Sequence, residues 1–357
     1  MAPVLMAPLL LALASCGGGG GSQAVVVPPP VIIGPTANSV TAATSTAKSN
    51  ALCATIAPFY WEIGDQSGSL ASGSIGTTSS GTMITGATQV SIASGSKWVY
   101  GMYVVELRGS AAGLTAADIP FMNFTSGYTN IGNDPKTAKC PASNSPDTVN
   151  ACLTTLNPAT NLPYSTQDPN TTGKFDYDSG HFENHASQLG SLGDVPLVSL
   201  GSTVAAQLGG GVDLQYTQPM MAFAVYTNSD QYAELLRRVL DGSLKMHDAL
   251  GTHAVCTLPS ASCNAVQSPI PEAWHYSIGH WVEDDSSTHG DGAFSSAGAL
   301  GFYPWIDAAK KYYGVISRED VAALASGQQA GYASAQCGRL IRHAWETGVA
   351  QTGTIPD

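Results

Sequence analysis

Charge is what this chain has least of. Only 11% of its 357 residues are Asp, Glu, Lys or Arg, the 14 Lys and Arg are scattered without a basic cluster, and the formal net charge is −12. Nucleic acid, which is held by clustered cations, is therefore excluded as a partner. The strongest apolar run, at the N-terminus, is too short to span a bilayer. No repeat of roughly 20–50 residues recurs, which excludes solenoids and propellers. Cys-x-x-Cys is absent as well, so the usual zinc and dithiol signatures are missing. What is abundant is apolar: 43% of the residues are hydrophobic. That excludes disorder for most of the chain and suffices for one large domain or two closely packed lobes.

Residues 1–16 form an apolar leader in which Leu9, Leu10, Leu11 and Leu13 precede Ala14, Ser15 and Cys16. Leu13-Ala14-Ser15-Cys16 resembles the lipobox of bacterial lipoproteins, whose cysteine is lipidated and becomes the mature N-terminus. It departs from that pattern in having no Lys or Arg before the apolar core; a cleaved signal peptide that contains a cysteine is the other reading. The lipobox implies a lipid-anchored protein of a bacterial cell envelope. Gly17 carries no inner-membrane retention signal, so in a Gram-negative host the expected place is the outer membrane, facing the periplasm. Residues 17–49, with five consecutive glycines, Pro28-Pro29-Pro30 and then Ser, Thr and Ala, read as a flexible tether to a domain over 50–357.

Setting Cys16 aside leaves Cys53, Cys140, Cys152, Cys256, Cys263 and Cys337. An even number in an exported protein points to disulfides, although six cysteines allow about 15 pairings. Nearness in sequence favours Cys140 with Cys152 and Cys256 with Cys263, leaving Cys53 with Cys337 to join a first helix to the last.

Chemistry concentrates at Ser94-Gly95-Ser96-Lys97, which opens a run from Trp98 to Leu107 with almost no charge. Such a run predicts a helix buried nearly all round, ending near Arg108 and Gly109. Residues three apart on a helix share a face, so the Lys97 amine can take the proton of the Ser94 hydroxyl. Burial disfavours an ammonium and makes Lys97 a better base. The spacing alone equally fits a helix cap with a lysine reaching to solvent. Ser45-Thr46-Ala47-Lys48 has the same spacing in a stretch without apolar periodicity, so context must distinguish the two.

Further along, a helix is expected over 51–57, then a hairpin from Phe59–Ile63 and Gly73–Gly76, and a capped helix opening at Leu114-Thr115-Ala116-Ala117-Asp118. Residues 130–172 read as irregular surface, and Gln231–Leu240 as a helix. Gly209-Gly210-Gly211 follows no strand and reads as a turn. His181 and His185 stand four apart without a third ligand, so no metal or cofactor is expected. His275, His280, Trp274 and Trp281 read as packing residues. Tyr276–Val282, Gly298–Asp307 and Tyr312–Ile316 read as three strands of a meander, and Ala330–Trp345 as a last helix. A hairpin first, helices in the middle and a meander last make the fold α+β.

The order Ser94-x-x-Lys97, Phe124-Thr125-Ser126-Gly127, Tyr177-x-Ser179 and Gly301-x-Tyr303-Pro304-Trp305 resembles the serine β-lactamase and penicillin-binding-protein superfamily, over roughly 55–345. The likeness is greatest to class C β-lactamases, family VIII esterases and D-aminopeptidases. The resemblance implies an antiparallel sheet from both chain ends (50–109 and 256–357), flanked by terminal helices, with a mostly helical lobe over about 110–255. It implies acyl transfer to water on an ester or amide, small molecule or peptide. Ser94 is then the nucleophile, Lys97 and Tyr177 the acid/base groups, and Ser179 part of their hydrogen-bond network. A Tyr177 phenolate beside a Lys97 ammonium would serve as base.

The family's third motif carries a basic residue, and here the sequence departs from it. The Gly-x-Tyr-Pro-Trp landmark aligns Ser296-Ala297-Gly298 with that motif, placing the Ala299 N–H beside that of Ser94 as an oxyanion hole. His289, in His289-Gly290-Asp291-Gly292, is the rival position. A missing cation lowers β-lactamase activity relative to esterase or amidase activity. It also leaves a rival of another class, an inactive cell-envelope binding protein on the same fold.

Overall fold

The computed structural model describes residues 37–132, 140, 147–326 and 330–354. Its first element, α1 (Ala37–Ser49), buries Ser39, Ala42, Ala43, Thr46 and Ala47 along one side. This corrects the tether expected over 17–49. Ala, Ser and Thr carry little hydropathic signal, yet their small side chains let a helix lie close to its neighbour. The remainder of that stretch, the leader and Cys16 lie outside the described residues. Ser45 and Lys48 thus also sit on a helix, with Lys48 exposed.

Helix α2 (Ala51–Ala54) is capped by the Asn50 side chain, which accepts from Leu52 N at 2.9 Å. Strands β1 (Phe59–Asp65) and β2 (Gly68–Ile75) form the expected hairpin, with its turn at Gln66-Ser67. Next come β3 (Val90–Ser91), α3 (Gly95–Leu107), the one-turn α4 (Ile119–Met122) and α5 (Val149–Leu153). Thr115 and Asp118 exchange hydrogen bonds as a capping box does, but Asp118 is itself the cap residue and the helix it opens is short. Helix α5 buries Val149 and Cys152 within the stretch expected to be irregular surface.

The chain continues through β4 (Phe175–Asp176), α6 (Gly180–Gln188), α7 (Leu197–Gln207), β5 (Gln215–Tyr216), β6 (Val225–Thr227), α8 (Ser229–Leu240) and α9 (Met246–Ala249). It ends with β7 (Val255–Cys256), β8 (Ala265–Gln267), β9 (His275–Tyr276), β10 (Trp281–Glu283), β11 (Ala293–Ser295), β12 (Tyr303–Ile306), β13 (Tyr313–Ser317), α10 (Val321–Ser326) and α11 (Ala330–Thr347). The expected strand over Tyr276–Val282 is two strands, because Gly279, at φ +72°, turns the chain back on itself.

Eight strands form one antiparallel sheet in the order β2-β1-β13-β12-β11-β10-β9-β7. The first hairpin therefore pairs with the last strand, and α1 and α11 pack together beside it. The fold is α+β, with an antiparallel sheet against terminal helices. A small sheet, β3-β6-β5, and a parallel pair, β4-β8, hold the middle of the chain. The lobe division at 110–255 needs one correction. Helix α8 packs on β13, and Arg237 reaches the Tyr313 hydroxyl at 3.0 Å.

All three disulfides form as expected: Cys140–Cys152, Cys256–Cys263 and Cys53–Cys337, the last tying α2 to α11. Helix α11 is also fastened through buried charge. Arg342 binds Glu283 at 2.7 Å and Asp291 at 2.7 Å, while the Tyr303 hydroxyl donates to Glu283 at 2.7 Å.

Candidate active site

Strand β3 runs into α3 through a turn that only a tight backbone can make. Ala93 sits at φ +45°, in the left-handed region that non-glycine residues seldom occupy. Gly95 N and Ser96 N then close on the carbonyls of Ile92 and Ala93, both at 2.9 Å, leaving Ser94 as the residue before the first helical turn. Its side chain caps nothing. The turn is clamped from β6, where Val225 N donates to Ser96 Oγ at 3.1 Å, and from α8, where the Tyr232 hydroxyl donates to Gly95 O at 2.9 Å. Helix α3 lies hard against the β9–β10 turn, so that a Cβ at Gly101 would stand 2.5 Å from Ile278 O.

One turn into α3, the buried Lys97 donates from Nζ to Ser94 Oγ at 3.0 Å and to Ala222 O at 3.0 Å. Burial lowers its pKa to about 7, against the opposing pull of Glu183 and Asp178. Lys97 Nζ also lies 4.8 Å from the centre of the Tyr177 ring. Ser94 in turn exerts a downward pull on the Tyr177 hydroxyl, so the three groups expected to act together lie side by side.

Tyr177 follows β4, whose parallel partner β8 accepts from Tyr177 N at Gln267 O, 3.3 Å. Its ring stacks on Trp281 and meets Phe124 and Tyr276 edge-on, with centroids 5.3–5.9 Å away. Burial in this aromatic box drives the hydroxyl's pKa well above that of a free tyrosine. The expected phenolate is therefore corrected: Tyr177 keeps its proton, and Lys97 is the group poised near neutrality.

Ser94, Lys97, Ser179 and Ala299 line a cavity of ≈130 Å³, together with Ser91, Ala93, Thr217, Gln218, Phe223 and Leu300. Among the described residues, neither Ser94 N nor Ala299 N has a backbone acceptor. Gly298 lets the turn before Ala299 approach, since a Cβ there would stand 2.2 Å from Ile92 O. Ser296 is buried beside Ser94, where its Oγ donates to Ser94 O at 2.9 Å. His289 lies elsewhere, in a separate cleft with Glu272, Tyr332 and Arg339. Neither side chain lines the cavity of Ser94.

A larger cleft of ≈670 Å³ beside α7 and β5 contains none of Ser94, Lys97 or Tyr177. His181 and His185 both lie on α6 but face different partners. His181 Nε2 donates to Asp176 O at 2.9 Å, so Nδ1 accepts from Ser126 at 2.6 Å. His185 Nε2 donates to Asp118 at 2.9 Å, so Nδ1 accepts from Tyr100 at 2.7 Å. With every ring nitrogen engaged, the pair offers no site for a metal.

Thr217, Gln218, Phe223 and Leu300 carry no motif, and only the fold brings them to the cavity. Glu183, between His181 and His185, carries no motif of its own. Its carboxylate holds the turn at Met221 and Ala222 through both backbone N–H groups.

No family model matches the sequence, and no curated protein matches it. Solved structures do. A mutant simvastatin synthase from Aspergillus terreus matches with a TM-score of 0.52 at 12% identity, covering 87% of this chain and 98% of its own. A protein assigned as a β-lactamase, from Bacteroides dorei, matches at 0.51 and 17% identity over 80% and 93%. The octameric penicillin-binding protein homologue from Pyrococcus abyssi matches at 0.51 and 10% identity over 81% and 78%. At such identities the likeness speaks for the fold.

Proposed function

From a serine β-lactamase-like fold, we propose that this chain is a serine hydrolase working through a Ser94 acyl-enzyme. The observation that carries the reading is the 3.0 Å contact from Lys97 Nζ to Ser94 Oγ, in a site where burial holds the lysine near neutrality. Lys97, as the free amine, takes the Ser94 proton while Oγ bonds to the substrate carbonyl carbon. The N–H groups of Ser94 and Ala299 receive the oxyanion; one such donor is worth roughly 100- to 1,000-fold in turnover. Tyr177 passes its proton to the departing alkoxide or amine and recovers one from the Lys97 ammonium. Water then attacks the acyl carbon, giving its proton to the same pair, and Ser94 is released.

The substrate we propose is an uncharged ester with a small acyl group. Among the described residues, Lys97 is the one charged side chain lining the cavity, and it is committed to Ser94 and Ala222. Among those residues no Arg or second Lys lines it for the carboxylate of a β-lactam or a peptidoglycan stem. Phe223 and Leu300 offer apolar walls instead. We place the protein at a bacterial cell envelope, anchored through Cys16.

The test is hydrolysis of p-nitrophenyl acetate and of a chromogenic cephalosporin, each by wild type and Ser94→Ala. Expected is Ser94-dependent ester turnover, at least about 1,000-fold above the variant, with little cephalosporin turnover. Absence of ester turnover and of fluorophosphonate labelling at Ser94 would transfer the case to an envelope binding protein. Ser296, standing where the family carries a cation, favours that second reading.

A further inference from the structure

Glu183 is the most deeply buried carboxylate near the nucleophile, and the mechanism above does not use it. It sits in the first turn of α6, a few residues past Tyr177, with no exposure to solvent. Its Oε2 accepts from Met221 N at 2.7 Å and its Oε1 from Ala222 N at 2.9 Å. The carbonyl of the same Ala222 accepts from Lys97 Nζ at 3.0 Å. A continuous path therefore runs from α6 through the Met221–Ala222 backbone to Lys97 and Ser94. A carboxylate that accepts from two consecutive amides fixes the two peptide units on either side of Met221. Ala222 O lies in the next unit, so the clamp anchors the N–H side of the residue whose carbonyl orients Lys97.

We propose that Glu183 is the positioning residue of the Ser94–Lys97 pair: it holds the Met221–Ala222 backbone in place and supplies the buried negative charge that balances the ammonium formed when Lys97 takes the serine proton. The inference rests on the hydrolase reading.

Other charges and titratable groups face this pair. Asp178, at the start of α6, is held by Gly132 N and Gly180 N at 2.7 Å each and also favours the ammonium. His181, on α6, feels the Lys97 charge but stays neutral, its pKa lowered to about 3 mainly by burial. Tyr177 lies beside Lys97, while Tyr100 of α3 and Tyr216 of β5 face Glu183 and are raised, chiefly by burial and then by its charge. All three tyrosines keep their protons. Glu183 is itself raised to about 8, burial outweighing the two amides and Lys97 that pull it down, so it gains its charge over the range in which Lys97 loses its own.

The experiment compares Glu183→Gln and Glu183→Asp with wild type in two readouts. One is the pH profile of ester turnover. The other is the titration of the Lys97 amine by NMR of labelled lysine, assigned by its loss in Lys97→Met, which needs no turnover. Glutamine keeps the shape but can accept only one of the two N–H bonds and carries no charge. Expected is a 10- to 100-fold loss of kcat at the optimum, with the Lys97 titration and the acid limb moving from about 7 to roughly 6. Aspartate keeps the charge but not the reach, so kcat falls while the limb stays. A Glu183→Gln protein with unmoved titration and unchanged kcat would overturn the inference. If Glu183→Gln does not fold, Glu183→Asp decides alone: unchanged kcat overturns the inference, and lowered kcat with an unmoved limb supports it. If wild type turns over no ester, the hydrolase reading falls, and the NMR titration still decides what Glu183 does to Lys97.

Discussion

Ser94 and Lys97 owe their chemistry to what lies around them, as Ser45 and Lys48 demonstrate. Both pairs stand three apart on a helix, yet Lys48 is exposed and Lys97 is buried. Burial lowers the Lys97 pKa to about 7 and raises that of Tyr177. Because the base must be unprotonated, turnover is lost as pH falls through about 7 and recovered as it rises. Tyr177, the proton donor, stays protonated well into alkali, so the profile should climb through neutrality and remain level to about pH 9. A pH–rate series for kcat/KM on p-nitrophenyl acetate checks both limbs; a fall above pH 8 would reassign the proton donor. Tyr177→Phe keeps the aromatic box and removes the proton, with an expected loss of about 100-fold or more in kcat and little change in KM. The proposed nucleophile and base were legible because a serine and a lysine open an uncharged apolar run. The ionisation of Tyr177 was not, since it depends on Trp281, Phe124 and Tyr276, which arrive from three separate segments.

At the scale of elements, hydropathy decides what can be read. Helix α3 announces itself through an unbroken apolar run, and the fold surrounds it on every side. Helix α1 does not, because Ala42, Ala43, Thr46 and Ala47 bury a face made of small residues that elsewhere make linkers. The β9–β10 hairpin hides a turn inside what looks like one strand, betrayed only by Gly279. Charge pairing is equally silent in sequence. Arg342, itself fully buried, projects from α11 to pair with the buried Glu283 on β10 and with the partly exposed Asp291 just before β11. Replacing it with leucine leaves Glu283 in the interior with only the Tyr303 hydroxyl and the more distant Arg339, at 4.0 Å, and breaking such a buried pair costs about 3–5 kcal/mol. Urea denaturation of Arg342→Leu should show a midpoint lowered accordingly, whereas the double variant Arg342→Leu/Glu283→Leu should recover part of the loss. A double variant weaker than the single would mean that the network acts through shape and not charge.

The whole molecule is closed by its ends. The Cys53–Cys337 bond spans 284 residues, and Asn50 Nδ2 donates to Gln351 O at 3.0 Å and Gly353 O at 2.8 Å. Cross-linking so long a loop restricts the unfolded chain, and removing it costs roughly 2–5 kcal/mol. Cys53→Ala/Cys337→Ala should therefore melt several degrees lower while keeping its pH profile, because neither sulfur is near Ser94. A changed profile at unchanged stability would place the bond in the site's own support. The family order of landmarks made this architecture legible from the sequence, but the specific walls of the cavity were not, since residues 217–223 follow no motif.

The pairing of β1 with β13 has a consequence in time. Tyr60 lies opposite Ser317 and Gly64 opposite Tyr313, so the opening hairpin must wait for the end of the chain before its inner edge is covered. At a synthesis rate of about 5–20 residues per second, that interval is on the order of 10–50 s. For most of it Ser94 also lacks Ala299, which is made shortly before β13. On the hydrolase reading proposed above, a truncated chain therefore has no oxyanion hole and should show no turnover.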